Sequence, residues 1–155
     1  NHIRRDLNML DEISGFMYSY IRALNHNSKN SYNINYVIEG CYLKLEDFVT
    51  KFNQNNFMII VLGYDGNTNQ LFNDIRENDT EKDWTKELSD DELLKYCHRV
   101  IKDCKKLKKY CKSNNILYYD MSGDRDEKIF SIIDKVRVEN GLYLCFNKNF
   151  VESIK

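Results

Sequence analysis

The sequence predicts an α/β fold organised around a parallel sheet, and three observations carry the prediction. Short apolar runs of strand length occur at YVIEG (36–40), FMIIVL (57–62) and ILYYD (116–120). Segments with helical periodicity separate them, and no tight two-residue turn joins one run to the next. Parallel neighbours need a crossover of a dozen or more residues, usually a helix, so this alternation favours βαβ units over hairpins.

Each element has its own signal. Residues 6–25 carry Leu7, Leu10, Ile13, Phe16, Met17, Tyr20, Ile21 and Leu24 at spacings of three and four, the pattern of a helical face, with a break expected near Ser14-Gly15. The polar stretch HNSKNSYNIN (26–35) reads as a loop, and YVIEG as a short buried strand. Apolar positions 45, 48, 49 and 52 predict a short helix over 43–52, and Gly63 closes the strand 57–62. A loop at 66–69 leads to a helix around 70–76, then to the acidic stretch ENDTEKDWTKELSDDE (77–92). Its lone Trp84 reads as an anchor to the core, with a moving lid as the alternative.

The strongest helix signal runs from Ser89 to Lys112, with Ser89 as N-cap and Glu92 completing a capping box. Asn114-Asn115 ends it, and the strand 116–120 follows. The next stretch, YYDMSGDRDEK (118–128), admits two readings. Ser122-Gly123-Asp124 is an ordinary turn whose Asp124, with Glu127 three residues later, caps a helix over 124–138. Alternatively the turn lies at the carboxyl edge of a parallel sheet, where open α/β folds bind ligands. GLYLCF (141–146) is the candidate for a final strand, with NFVESIK as a short tail.

A chain of 155 residues is expected to form one domain, 1–155, with a core of useful size. With 42% hydrophobic residues, 11 Tyr and 8 Phe, extensive disorder is not expected. The formal net charge of −1 exerts no global pull toward nucleic acid or membrane. No apolar run reaches membrane-spanning length and NHIRRDLNML lacks a signal-peptide core, so the expected location is cytoplasmic. The odd set Cys41, Cys97, Cys104, Cys111 and Cys145 does not suggest a secreted disulfide framework. Cys97, Cys104 and Cys111 recur every seven residues beside Leu94, Val100, Ile101 and Leu107, the spacing of small core residues rather than zinc ligands. His2, His26 and His98 are scattered, so no nucleophile–histidine–acid set is suggested.

Charge is segregated. Between 74 and 92 stand nine acids (74, 77, 79, 81, 83, 87, 90, 91, 92) and three bases (76, 82, 86). Between 95 and 112 stand eight bases (95, 99, 102, 105, 106, 108, 109, 112) and one acid, Asp103. Acids near a helix start and bases toward its end complement the helix dipole. No stacking aromatics interleave the lysines, so nucleic acid is not the leading expectation for a partner.

Strand–acid–glycine in YVIEG, the strand FMIIVLG, an arginine in LFNDIREND and the strand-turn YYDMSGDRDEKIF occur in one order. That order resembles the later part of P-loop kinases of the adenylate kinase-like group, including small bacterial nucleotide kinases, over about residues 34–138. The resemblance implies a three-layer fold with a parallel sheet flanked by helices, a lid-like region near 74–92, and ATP and magnesium as cofactors. It implies that Glu39 organises magnesium, through a bound water, and that Arg76 stabilises the transferring phosphoryl group. Ser122, Gly123, Asp124 and Arg125 match the loop against the adenine ring, and Arg4 and Arg5 the contact for the acceptor. Each has a plainer reading: Glu39 as a turn cap, Arg76 paired with neighbouring acids, Arg4 and Arg5 as solvated helix-start residues.

One departure matters. None of the glycines at 15, 40, 63, 66, 123 and 141 begins G-x-x-x-x-G-K-[ST], the loop whose N–H groups and lysine cradle phosphates. The resemblance therefore implies a P-loop segment upstream of Asn1, so the fold is expected to be incomplete at its N-terminus. Otherwise the chain is a whole domain that echoes the pattern. The expected function is an ATP-dependent phosphotransferase acting on a nucleotide, nucleoside or other small acceptor. The alternative is a non-catalytic module that binds a protein, or nucleic acid through the basic helix 95–112.

Overall fold

The computed structural model describes residues 7–30, 36–40, 43–52 and 57–139, and their side chains except at 7–12, 28–30 and 139. The chain divides into two compact units, Asn1–Met58 and Ile59–Lys155.

The first unit contains helices α1 (Leu7–Asn30) and α2 (Leu45–Lys51). The break expected at Ser14-Gly15 is absent, and α1 continues through residues 26–30, the expected start of the loop. One interior glycine costs a helix about 1 kcal/mol, a penalty that packing along one face readily offsets, and there is no proline to stop propagation. The buried face of α1 runs through Ser14, Tyr18 and Ile21, while Phe16 and Tyr20, expected on it, are exposed. Tyr18 joins Phe52 (ring centroids 6.0 Å apart), Phe52 stacks on Phe48 (4.5 Å), and Phe57 meets both edge-on (5.5 and 5.3 Å). The Tyr18 hydroxyl donates to the Lys44 carbonyl at 3.1 Å, which fixes the approach to α2.

YVIEG is not a strand. Residues 36–40 have no regular secondary structure, and Val37 is 96% exposed. β-propensity describes fit to a pleated, half-buried surface, and among the described residues this segment has no ladder partner to supply one.

The second unit is built on two parallel strands, β1 (Ile60–Gly63) and β2 (Leu117–Asp120), in the register Ile60↔Leu117 to Gly63↔Asp120. Between them run α3 (Thr68–Asn78), a 3-10 turn (Trp84–Glu87) and α4 (Asp90–Ser113); α5 (Arg125–Glu139) follows β2. The expected βαβ logic is therefore present as a mixed α/β arrangement, mostly helical, around a small parallel sheet. The strand expected at 141–146 lies outside the described residues.

Caps set the boundaries. Asn67 and Gln70 form a capping box that starts α3 two residues before the expected point, and Ser89 with Glu92 forms the expected box on α4. The end of α4 is closed by Asn115 at φ 55°, a left-handed conformation that asparagine tolerates, with the Ile116 N–H bonded to the Cys111 carbonyl at 2.9 Å. Helix α4 packs against both strands and α3 packs against α4. The core joins Tyr64, Leu71, Leu93, Cys97, Ile101 and Cys104. Cys97, Cys104 and Cys111 are buried as expected of core residues, and burial pushes all three thiols up, away from the reactive thiolate. Among the described residues no helix is long and apolar enough to cross a membrane.

Candidate functional site at the carboxyl edge of the sheet

Both strands end at the same edge, because they are parallel and in register. After Gly63 the chain turns through Tyr64-Asp65-Gly66 toward α3; after Asp120 it turns through Met121 to Asp124 toward α5. Asp120 ties the two exits together. Its Oδ1 accepts from the Asp65 N–H at 2.9 Å and the Ser122 N–H at 2.8 Å, and its Oδ2 accepts from the Ser122 hydroxyl at 2.7 Å. The Met121 N–H bonds to the Gly63 carbonyl at 2.8 Å, continuing the ladder one step past the strands.

A second layer surrounds this tie. Asp65 accepts from the Tyr118 hydroxyl at 3.0 Å and pairs with Lys108 of α4, whose ammonium also lies 5.7 Å from the centre of the Tyr118 ring. Lys128 of α5 donates to the Ser122 carbonyl and stands 3.8 Å from Asp120 Oδ2. Tyr64 donates to Asp74 of α3 at 2.6 Å. Burial first, then the bond to Asp74, pushes the Tyr64 phenol well up, and burial with the Asp65 bond does the same for Tyr118. Both remain protonated donors at neutral pH. Lys108 is pushed up by its bond to Asp65 and stays charged.

An open cleft of about 330 Å³ lies beside the β2 exit, lined by Asp74 and Asn78 of α3 and by Gly123, Asp124, Arg125 and Asp126. Gly123 adopts φ +90°, a conformation that favours glycine. Asp124 accepts from the Glu127 N–H at 3.0 Å, so it caps α5 while its residue lines the cleft. Both readings of YYDMSGDRDEK thus describe the same turn: a helix cap standing at a sheet edge.

Of the residues expected at the site, Gly123, Asp124 and Arg125 line the cleft, and Ser122 is held in the tie at Asp120. Arg76 is engaged elsewhere. Its Nε donates to Asp90 (3.2 Å), Nη1 to Asp79 (3.3 Å) and the Thr85 carbonyl (3.0 Å), and Nη2 to the Leu88 carbonyl (2.7 Å) and Asp90 (2.9 Å). A guanidinium has five N–H donors, and all five are used to hold the 79–90 segment against α3. The plainer reading of Arg76, pairing with neighbouring acids, describes this geometry. Trp84 is anchored edge-on to Tyr96 of α4 at 5.1 Å, with half its surface still open. Glu39 is exposed in the irregular segment of the first unit, and Arg4 and Arg5 lie outside the described residues.

Sequence reasoning missed Asp65, Asp120, Tyr118, Lys108, Asp74 and Asn78. A signal existed for two of them: each paired strand runs into an acid followed closely by glycine, Asp65-Gly66 and Asp120 to Gly123. Tyr118 and Lys108 carry no local signal, because their partners are 53 and 43 residues away in sequence.

Among the described residues no group of three or more His, Cys, Asp and Glu side chains is placed to hold a metal ion, and Asp65 and Asp120 accept from protein donors.

The tie at Asp120 has a pH signature. Burial alone would raise this carboxyl, but the Ser122 and Asp65 N–H groups, the Ser122 hydroxyl and Lys128 outweigh it and hold it below the usual range. A carboxyl lowered on folding contributes stability above its unfolded pKa, and that contribution is lost as pH falls through the folded value. Urea midpoints measured from neutral pH down through the carboxylate range should fall more steeply for the native chain than for Asp120→Asn. Parallel acid limbs would refute the role.

Comparison with family models, curated proteins and solved structures returns no match for this chain.

Proposed function

We propose that this chain carries the base-side part of a P-loop kinase-like, ATP-dependent phosphotransferase with a three-layer α/β fold, acting on a nucleotide, nucleoside or other small acceptor. The observation that carries the reading is the pair of parallel strands whose exit turns are tied by Asp120 beside the cleft of Asp74, Asn78 and residues 123–126. Carboxyl edges of parallel strands are where open α/β sheets take their ligands. The cleft supplies carboxylate and amide acceptors and the Arg125 guanidinium, a set suited to a base with exocyclic amino groups. In this reading the phosphate-cradling loop comes from outside residues 1–155, Glu39 acts on magnesium through water, and Arg4 and Arg5 contact the acceptor. A phosphoryl contact from Arg76 would require the clamp on Asp79, Asp90, Thr85 and Leu88 to open.

The test is ATP binding and acceptor-dependent ADP release by the protein expressed from its whole reading frame. Saturable binding is expected, weakened about tenfold or more by Arg125→Ala, an exposed position, at unchanged stability. No binding at millimolar ATP overturns the reading. The saturated Arg76 favours a second reading, a non-catalytic module of the same architecture. Failure to bind ATP in a folded, full-length protein would move the conclusion there.

A further inference from the structure

We infer that the outer face of α4 is a docking surface for the phosphate backbone of double-stranded nucleic acid. In the helix, Lys95, Arg99, Lys102, Lys106 and Lys109 follow one another at steps of four, three, four and three, so they form a single row. At 1.5 Å per residue the row is about 21 Å long. His98, Lys105 and Lys112, spaced by seven, run alongside it.

The row is exposed along its whole length, and the opposite side of the helix fixes it in place. Leu93, Cys97, Ile101, Cys104 and Cys111 are buried, so α4 cannot roll without opening the core. Internal neutralisation is slight. Asp103, the one acid between 95 and 112, lies 3.4 Å from Lys106, and Arg99 stands over the Tyr96 ring at 5.5 Å. Lys95 feels the Glu92 carboxylate, whereas among the described residues Lys102 and Lys109 have no hydrogen-bond or ion-pair partner. Apart from Asp103, the acids of α4 stand at its N-terminal end, at Asp90, Asp91 and Glu92, which centres the positive stretch on Arg99 to Lys112.

The chemistry of the row selects the partner. Lysines are strongly hydrated point charges suited to phosphates rather than to bidentate reading of base edges. No aromatic ring stands in the row, which disfavours the stacked bases of a single strand. Duplex carries one charge per about 1.7 Å of axis, so a linear array of this length faces more phosphates than it has cations. A membrane surface is the poorer fit, since helices that lie on bilayers insert an apolar face and that of α4 is occupied by the core. This inference does not depend on the phosphotransferase reading.

The experiment is binding of the full chain to a short labelled duplex of arbitrary sequence over a salt series. Five neutralised phosphates predict a slope of log K against log salt of roughly −4 to −5, a loss of several hundredfold between 50 and 200 mM salt. Lys102→Glu, Lys106→Glu and Lys109→Glu combined should abolish measurable binding while leaving the circular dichroism unchanged. Lys82→Glu with Lys86→Glu, away from the row, should leave binding intact. No duplex binding at 50 mM salt overturns the inference, as does binding that survives the triple reversal. Equal adsorption to phosphatidylserine vesicles, lost in the same triple variant, overturns it in favour of a membrane surface.

Discussion

Arg76→Ala should lower the unfolding free energy by about 2–4 kcal/mol, the largest effect expected of any single substitution outside the core. Five hydrogen bonds disappear together. The Asp79 side chain, only 4% exposed, keeps the Thr85 hydroxyl but loses its counter-charge, and the Thr85 and Leu88 carbonyls lose the same donor. Removing one partner of a fully buried pair costs about 3–5 kcal/mol, and the lower figure here reflects the 24% exposure of Arg76 and the exposed position of Asp90. Arg76→Lys should recover little, because one ammonium cannot span acceptors that the planar fork reaches from three nitrogens. Urea unfolding at constant m-value measures the loss, and hydrogen exchange should show residues 79–90 opening first. A change under about 0.5 kcal/mol would mean that the clamp contributes nothing beyond a solvated surface position.

Gly63→Ala should cost about 1–3 kcal/mol for a single methyl group. A Cβ at this buried strand position would overlap the hydroxyl and ring carbons of Tyr118, which cross Gly63 on their way to Asp65. To make room, the tyrosine must swing away and give up its bond to Asp65, which accounts for about 1 kcal/mol of that total. The backbone at Gly63 is ordinary extended strand, so glycine is required there for space and not for conformation, in contrast to Gly123. A double-mutant cycle isolates the cause: in a Tyr118→Ala background the Gly63→Ala penalty should vanish. A penalty that persists there would locate the strain elsewhere.

Both effects share a property with the candidate site. Each joins residues that no helical or strand periodicity pairs, Arg76 with carbonyls 9 and 12 residues on and Gly63 with a tyrosine of the neighbouring strand, and each fills donors or volume that a sequence leaves unassigned. Arg76 in LFNDIREND resembles a phosphoryl-binding arginine as well as it resembles a clamp, since the residue type suits either. What distinguishes them is the 3-10 turn carrying Thr85 and Leu88 back within reach of the guanidinium. YVIEG likewise has strand composition, but a strand requires a neighbouring edge, and among the described residues the ladder forms only between β1 and β2.

What the sequence determined by itself was local. The capping box of Ser89 and Glu92, the seven-residue spacing of Cys97, Cys104 and Cys111, the asparagine stop at 114–115 and the Asp124 cap of α5 all work within a turn or two of chain, where 3.6-residue periodicity and backbone donors dictate the outcome. What only the tertiary structure decided was which residues meet at the sheet edge. Asp120 becomes a tie because parallel register sets Gly63 opposite it, and Lys108 reaches Asp65 because α4 lies across both strands. Register and helix placement follow from burying the core as a whole, and no short stretch of sequence contains that information.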